Sequence, residues 1–379
     1  MTGPRLRILH ETNPAKYFPA LYELAACGTA QLTGAHRYSV LKEWLRAGLK
    51  DRTPLVQRTR NALEDLAFRL RQWRVRDEII VMGFAPWDWR LLLYRGLARR
   101  NRVLYHTSWH DWRADHTPRQ PVLLRPALLR IWRAFLSHPN VSVIAVTPAA
   151  ADAVKSQMGA SAQVIPHAVP DAFFEAGKAR ALQAPSRNRL LKLLFVGEVT
   201  AKKGVLVLRK IMPELAAQGV ELTIVGNGDL AAELERAPQK GIRFLGPLHD
   251  REELAETMAA HDVLVLPSQR VRGWEELFGI VIAEALAAGL AVLASAHIGP
   301  KGILAPAGGA GLFDDSDHDG LALEIAALAR DPDRLAALKA RQAPMAEPYA
   351  IGAVRQAWEA AIASAPEASG KTPKPERHA

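Results

Sequence analysis

The chain contains a single cysteine, Cys27, among its 379 residues. One cysteine excludes an internal disulfide and a cysteine-based zinc site, and it is typical of a reducing compartment. No apolar run approaches the roughly 20 residues that a membrane-spanning helix needs. Residues 1–7 lead directly into a strand-like segment, without the apolar core of a signal peptide. The sequence therefore predicts a cytoplasmic protein.

Acidic residues are scarce in the first half of the chain. Residues 1–170 hold 25 Lys and Arg against 12 Asp and Glu, whereas the remaining residues hold 24 against 27. Seven of the nine Trp also lie in the first half. This composition favours an anionic partner or the inner face of a membrane, and an arginine-rich solvated surface stays open as the alternative. Nucleic acid is disfavoured, because the sequence has no helix-turn-helix, zinc-finger or RNP-like motif.

Strand-like and helix-like segments alternate twice along the chain, which predicts two α/β domains with parallel sheets. We expect an N-terminal domain over 1–170, a linker over 170–190 and a C-terminal domain over 190–345. Helix 351–363 is expected to cross back to the first domain, and the polar tail 364–379 to be disordered. Segment 11–36 is poorly periodic and is assigned no element. The other predicted strands are 6–10, 78–83, 102–106, 141–147, 163–166, 191–197, 221–226, 242–245, 263–266 and 291–294. The other predicted helices are 37–48, 54–73, 87–99, 126–137, 148–158, 204–218, 229–236, 250–260, 279–288, 318–329 and 332–342.

One segment carries most of the functional information, Glu276-Leu277-Phe278-Gly279-Ile280-Val281-Ile282-Ala283-Glu284. It follows a strand-like apolar run, so it reads as a loop with a carboxylate, a glycine, and a helix with a second carboxylate. Gly279 lets the backbone approach a ligand closely. The free N–H groups at the start of the helix suit a diphosphate. An amphipathic helix with Glu at both ends is the simpler alternative.

This segment and its surroundings resemble the retaining GT-B glycosyltransferases known as glycosyl transferases group 1. The resemblance also rests on Phe195-Val196-Gly197 with Lys203-Gly204, on Val225-Gly226-Asn227-Gly228 and on Phe244-Leu245-Gly246. It implies an α/β GT-B fold, in which two Rossmann-like domains face each other across a cleft. It further implies transfer of a sugar from a nucleotide-diphospho-sugar to a saccharide or lipid-linked acceptor, with retention of configuration, in surface polysaccharide or glycolipid assembly. No cofactor or metal is expected, since the nucleotide sugar is a co-substrate.

The resemblance assigns three catalytic residues and a donor-binding set. Lys203 would contact the diphosphate, Glu276 would position the sugar, and His110 would face the transferred sugar, with His106 as a competing choice. The leaving phosphate would take the acceptor proton in a front-side attack. The predicted donor-binding residues are Gly197, Lys202, Gly226, Asn227, Gly246, Pro247, Leu248, Arg270, Arg272, Phe278, Gly279, Ile280, Val281 and Glu284.

Two positions depart from the family pattern. The family commonly has an arginine where this chain has Glu198, and Asn-Gly where it has His167-Ala168. Lys202, Arg270 and Arg272 are candidates to replace the missing cation. These departures keep a non-catalytic GT-B binding subunit open as an alternative, beside a nucleotide-sugar epimerase or phosphorylase of the same fold.

Two further segments have competing interpretations. Residues 315–320 resemble the start of a calcium loop, but the twelfth position is Ala326 instead of Glu, so we expect a helix cap. Residues 126–136 are basic and amphipathic. They could lie on an anionic membrane, or pack against the sheet of the first domain.

Overall fold

The computed structural model describes residues 3–49, 53–113, 125–182, 190–271 and 274–364. The chain divides into two compact units. Unit 1 comprises the chain up to His167 together with the residues from Val354 onward, and unit 2 comprises Ala168–Ala353.

Unit 1 is built on a six-stranded parallel sheet in the order β2-β1-β3-β4-β5-β6. Its central strands are continuous apolar runs that are buried on both faces, as expected for a parallel sheet between helical layers. The strands are β1 Arg5–His10, β2 Gln31–Arg37, β3 Ile79–Gly83, β4 Arg102–Thr107, β5 Val141–Ala145 and β6 Ala162–Val164. The helices are α1 Pro14–Tyr17, α2 Pro19–Ala26, α3 Val40–Leu49, α4 Leu55–Arg71, α5 Leu91–Tyr94, α6 Arg125–Leu136 and α7 Pro148–Met158, together with most of α16 Ile351–Ser364.

Unit 2 is built on a second six-stranded parallel sheet, in the order β12-β11-β10-β7-β8-β9. Its strands are β7 Leu191–Val196, β8 Val220–Val225, β9 Ile242–Gly246, β10 Val263–Leu266, β11 Ala291–Ser295 and β12 Leu312–Phe313. Its helices are α8 Asp171–Ala181, α9 Val205–Ala216, α10 Ala231–Arg236, α11 Arg251–Ala259, α12 Ile280–Ala287, α13 Ile298–Leu304, α14 His318–Arg330 and α15 Pro332–Gln342.

The strand order of unit 2 locates a ligand-binding position before any side chain is considered. The first strand, β7, lies at the centre, the next two lie on one side, and the chain then returns to place β10 on the other side. This is the Rossmann order, and ligands bind at the carboxyl ends of the two strands where the order reverses. In unit 2 that position lies between β7 and β10.

The predicted fold class, α/β with two Rossmann-like parallel sheets, is confirmed. The predicted helix 87–99 is wrong at its start, because the helical segment α5 begins only at Leu91. Trp87 has a left-handed backbone with φ of 61°, and its buried indole N–H donates to the Trp112 carbonyl oxygen at 2.7 Å. This side-chain contact fixes a turn where composition predicted a helix.

Other differences lie in segments of weak periodicity. The predicted linker over 170–190 is wrong for residues 171–181, which form α8 and bury Phe173. Segment 11–36 contains α1, α2 and most of β2, a half-buried edge strand without apolar alternation. The tail 365–379, predicted to be disordered, lies outside the described residues. Within the part of the chain that the structure describes, no helix has the length and apolarity to span a bilayer.

Candidate donor site of unit 2

The loop after β7 brings two lysines to the switch point between β7 and β10. Residues Ala201–Lys203 form one turn of 3-10 helix, which ends at Gly204 with φ of 81°. A Cβ at Gly204 would lie 1.9 Å from the carbonyl oxygen of Pro267, so only glycine allows the two loops to approach this closely. The Gln269 N–H also donates to the Lys202 carbonyl oxygen at 2.7 Å. The loops after β7 and β10 are therefore joined through their backbones.

Lys203 and Glu276 meet at this position. The Lys203 ammonium forms a part-buried ion pair with the Glu276 carboxylate. The indole of Trp274 lies beside both lysines, with its ring centroid 5.1 Å from Lys203 Nζ and 5.4 Å from Lys202 Nζ. Lys202 pairs in turn with Glu198 at 2.9 Å. The result is a cluster of two cations and two carboxylates around one aromatic ring.

Glu276 is held in place through its backbone. Its N–H donates to Nδ1 of His297 at 3.0 Å, and its carbonyl oxygen accepts from the Gly299 N–H at 2.9 Å. His297 is fully buried. Burial, aided by the charge of Arg270, lowers the pKa of His297. The neutral imidazole that the hydrogen bond requires is therefore the favoured form.

Asp315 fixes the other side of the loop after β10. Its carboxylate accepts from the Arg270 N–H at 2.8 Å and from the Arg270 guanidinium at 3.4 Å. Burial opposes its ionisation, but the Arg270 N–H and guanidinium hold the pKa of Asp315 below its ordinary value. Asp317 caps α14 by accepting from the Gly320 N–H at 2.9 Å, in agreement with the predicted helix cap. These aspartates thus anchor the site loop and start a helix.

The predicted helix start at Gly279 is confirmed, since α12 begins at Ile280 with Gly279 as its N-cap at φ of 66°. Phe278, Ile280 and Val281 flank this cap and are half-buried. Glu284 lies farther along α12 with 4% of its surface exposed. Its carboxylate accepts from the Arg251 guanidinium at 2.5 Å. The guanidinium of Arg251 also lies 4.7 Å from the ring centroid of Phe173.

The loops after β8 and β9 complete the carboxyl edge of the sheet. The Gly197 N–H donates to the Val225 carbonyl oxygen at 3.0 Å, and the Gly226 N–H donates to the Gly246 carbonyl oxygen at 2.9 Å. The Asn227 carbonyl oxygen accepts from the Val199 N–H at 3.0 Å. Pro247 and Leu248 continue from Gly246 along the same edge. These predicted donor-binding residues therefore lie on neighbouring turns of one edge.

Three buried hydroxyl groups follow the strands of this edge without a hydrogen-bond partner among the described residues. They belong to Thr200 after β7, Ser268 after β10 and Ser295 at the end of β11. Their residues are between 0% and 8% exposed. A buried hydroxyl without a partner is costly, so a cluster of three at a strand edge indicates a place where polar ligand atoms would be accommodated.

Unit 1 carries the predicted histidine His110 in the segment after β4. The competing choice, His106, lies within β4 and is buried, with its ring centroid 5.7 Å from that of His167 and 4.8 Å from that of Phe18. Burial lowers the pKa of His106 and lowers the pKa values of His10 and His167 to about 4. Unit 1 therefore has three neutral histidines near the carboxyl edge of its sheet.

Residues 191–331 match the family model described as glycosyl transferases group 1. The matched residues span strands β7–β12 of unit 2. A phosphatidyl-myo-inositol mannosyltransferase of Mycolicibacterium smegmatis is 34% identical over 198 residues, which cover 51% of this chain and 49% of the relative. A D-inositol 3-phosphate glycosyltransferase of Thermobispora bispora is 33% identical over 211 residues, which cover 50% and 44%. The chain thus spans about half the length of these curated relatives.

Solved structures extend the likeness in fold to nearly the whole chain. HepE of Anabaena in complex with UDP has a TM-score of 0.65 at 19% identity, covering 95% of this chain and 100% of that one. WaaG, a glycosyltransferase involved in lipopolysaccharide biosynthesis, has a TM-score of 0.60 at 16% identity, covering 95% and 100%. The chain therefore has the GT-B fold.

Of the predicted site residues, Lys202, Lys203 and Glu276 lie together in the structure. Arg270 lies in the loop after β10, where it is hydrogen-bonded to the Asp315 carboxylate. Arg272 lies outside the described residues. Sequence reasoning missed Trp274 and His297, and it considered Asp315 only as part of a calcium loop or a helix cap. A polar residue directly after a buried strand was the available signal for His297, since the carboxyl ends of parallel strands share one edge.

Proposed function

We propose that this chain is a retaining glycosyltransferase that moves a sugar from a nucleotide-diphospho-sugar to a saccharide or lipid-linked acceptor. The observation that carries the proposal is the Lys203–Glu276 pair at the switch point of a group 1 glycosyltransferase domain. A cation at this point suits a leaving diphosphate, and a carboxylate suits the hydroxyl groups of a sugar. We assign the acceptor contacts to unit 1.

The proposed reaction breaks the bond between the anomeric carbon and the diphosphate oxygen, and it forms a bond from the same carbon to the acceptor oxygen. The acceptor proton passes to the leaving phosphate, so no protein base is required. Lys203 stabilises the charge that grows on the diphosphate. Glu276 orients the sugar, and His297 keeps Glu276 in position through its backbone. Glu284 accepts hydrogen bonds from the ribose, and no metal or other cofactor takes part.

The acceptor we favour is a glycolipid or a surface polysaccharide precursor. The names of two relatives point this way, since one is a phosphatidyl-myo-inositol mannosyltransferase and another a GDP-mannose-dependent phosphatidylinositol monomannoside mannosyltransferase. We place the protein in the cytoplasm, with peripheral contact to the inner face of the membrane.

A thermal-shift panel tests the donor site. The full chain and its Lys203→Ala, Glu284→Ala and Lys210→Ala variants are heated with UDP-, GDP-, ADP- and dTDP-sugars. Lys210 is an exposed residue of α9 and serves as the matched control. We expect one nucleotide class to stabilise the wild type and Lys210→Ala, but to stabilise the other two variants much less. A folded wild type that responds to no nucleotide sugar would overturn the proposal.

The reaction class is then tested with the stabilising donor and candidate acceptors. We expect a glycoside with the anomeric configuration of the donor, read by the proton–proton coupling of the anomeric centre in NMR. Binding without turnover would favour a non-catalytic subunit. A donor that is epimerised, or a glycoside that is cleaved by phosphate, would favour the other two alternatives.

A further inference from the structure

The outer face of the α3–α4 helical hairpin exposes an unusual amount of apolar surface. On α3, Leu41, Leu45 and Leu49 are 72%, 45% and 82% exposed. Their spacing of four residues places them on one face of the helix. The opposite face is turned inward, where Glu43 is buried.

Helix α4 carries a second apolar line. Val56, Leu63 and Leu70 are 81%, 61% and 76% exposed, and a spacing of seven residues places them on one face. Trp73, just beyond the end of α4, is 59% exposed. The buried face of the helix is occupied by Asp65 and Phe68.

The two lines lie side by side. The Trp44 indole N–H of α3 donates to Thr59 Oγ1 of α4 at 3.3 Å, and the Arg58 guanidinium lies 4.1 Å from the Trp44 ring centroid. Since these contacts join the flanks of the helices and both buried faces point inward, both exposed lines face outward. We call the seven residues the α3–α4 ridge: Leu41, Leu45, Leu49, Val56, Leu63, Leu70 and Trp73.

Basic residues surround the ridge. Residues 40–76 contain ten Lys and Arg against four Asp and Glu. Beside the end of α4 lies an open depression of about 740 Å³, whose lining holds five arginines and three carboxylates. Two of these carboxylates, Glu78 and Glu64, already pair with arginines. The charged lining residues are Arg5, Arg7, Arg71, Arg74, Arg76, Glu64, Asp77 and Glu78. Among the described residues, no carboxylate pairs with Arg71, Arg74 or Arg76. The guanidinium of Arg74 lies 4.8 Å from the ring centroid of Trp73.

We propose that the α3–α4 ridge docks unit 1 on an anionic phospholipid bilayer. The leucines and Trp73 would enter the boundary of the acyl chains, and the arginines beside Trp73 would meet lipid phosphates. Tryptophan and arginine suit this depth, because each has an apolar body and a polar or charged end. A second copy of this chain fits less well, since a two-fold interface would bring the arginines of both copies together.

Helix α6 contains the segment 126–136, for which the sequence left membrane contact open, but it offers no comparable apolar surface. Its apolar residues Leu128, Trp132, Phe135 and Leu136 are all buried in unit 1. The alternative interpretation of that helix, packing within the first domain, is the one that the structure supports. Docking through the ridge rests on the peripheral membrane contact included in the proposed function. It uses none of the donor-site residues, so it can fail while the proposed sugar transfer stands.

Flotation of the full chain with vesicles tests the proposal. The vesicles are phosphatidylcholine alone, or phosphatidylcholine mixed with phosphatidylglycerol. We expect binding to the mixed vesicles that weakens with added salt, and little binding to phosphatidylcholine alone. The double variants Leu63→Gln with Leu70→Gln, and Arg71→Gln with Arg74→Gln, should each lose about tenfold in vesicle affinity.

The matched controls are Leu323→Gln, which changes a 69% exposed leucine of α14 in unit 2, and Lys210→Gln. Both should bind vesicles like the wild type. Because all the substituted side chains are exposed, the thermal unfolding temperature should be unchanged, which separates loss of docking from loss of fold. Absence of wild-type binding, or an equal loss in the controls, would overturn the proposal. So would a concentration-dependent dimer, seen by light scattering, that the leucine variant abolishes without any effect on vesicles.

Discussion

The backbone N–H of Glu276 donates a 3.0 Å hydrogen bond to Nδ1 of His297. The carboxylate assigned to the sugar is thus positioned by a histidine from the neighbouring strand edge. Only the unprotonated nitrogen accepts this bond, so protonation of His297 would release the loop that carries Glu276.

This bond predicts a pH dependence for donor binding. Because burial lowers the pKa of His297, its neutral form still predominates at pH 6.5, the ordinary pKa of histidine, and is lost only at lower pH. We expect donor affinity to fall on acidification in the wild type, and to fall less in His297→Asn, whose amide oxygen can accept the same N–H. Calorimetric titration at several pH values measures both. His249→Ala, which removes an exposed histidine of unit 2, controls for the loss of a titrating histidine as such and should follow the wild-type profile. Parallel wild-type and His297→Asn profiles would contradict the assignment.

The histidine cluster of unit 1 predicts acid sensitivity of a different kind. The pKa values of His10 and His167 are lowered to about 4, and that of His106 is also lowered, all chiefly by burial. Between about pH 6.5 and 4, the unfolded chain therefore binds more protons at these histidines than the folded chain does. The free energy of unfolding decreases as the pH is lowered through this range, by up to about 1.4 kcal/mol per pH unit for each histidine. We expect His106→Phe to lose less stability than the wild type between neutral and acidic pH, as measured by denaturant unfolding. An equal loss in both proteins would show that other groups control acid unfolding.

Lys203 is predicted to act on turnover as well as on donor binding. Removing its ammonium should lower kcat/KM by about 100- to 1000-fold, because the charge on the leaving diphosphate is greatest in the transition state. Steady-state kinetics of Lys203→Ala and of the control Lys210→Ala measure this. A Lys203→Ala variant with full activity would remove Lys203 from the mechanism.

Glu198 stands where the family pattern predicts an arginine, and its carboxylate pairs with Lys202 at 2.9 Å. A negative charge at the edge of a diphosphate site opposes the ligand, so Glu198→Gln should raise nucleotide affinity by about threefold, more at low salt. Titration of the wild type, Glu198→Gln and the exposed control Glu214→Gln with the nucleoside diphosphate tests this. If Glu198→Gln instead bound the nucleoside diphosphate more weakly than the wild type, Glu198 would be needed to position Lys202.

The sequence was most informative where local pattern and tertiary environment agree. Apolar runs such as 191–196 and 263–266 predicted the central strands, because parallel strands are buried on both faces and need no alternation. Gly279 and Lys203 were recognisable because a loop after such a strand must lie at the ligand-binding edge. Edge strand β2 and helix α8 were not predicted, because their packing depends on residues far away in the sequence.

The missed parts of the site depend on contacts between segments far apart in the chain. Trp274 lies in an irregular loop, and its relation to Lys202 and Lys203 exists only once β7 and β10 are neighbours. His297 is 21 residues from the N–H that it accepts. Trp87 shows the same limit in unit 1, where a hydrogen bond to the Trp112 carbonyl oxygen replaces a helix start with a left-handed residue.

Gln342 gives the last prediction, because its side chain completes the edge of β11. Strand β12 pairs with β11 only at Ala294 and Ser295, so Val292 has no strand partner on that side. The buried side-chain amide of Gln342 takes the place of a neighbouring strand there. Its oxygen accepts from the Val292 N–H at 2.7 Å. Its nitrogen donates to the carbonyl oxygens of Val292 and Ala310 at 2.9 and 2.8 Å. Gln342→Leu preserves the volume but leaves these backbone groups without partners.

We expect Gln342→Leu to lower the free energy of unfolding of unit 2 by about 2–5 kcal/mol, since each unsatisfied buried group costs about 1–3 kcal/mol. Gln218→Leu, at an exposed glutamine of the same unit, should stay within about 0.5 kcal/mol of the wild type. Denaturant unfolding followed by circular dichroism compares the three proteins. Because β11 leads directly into Ser295 and His297, the loss should be accompanied by weaker donor binding. A variant that keeps wild-type stability would show that water or a shifted β12 satisfies Val292 equally well.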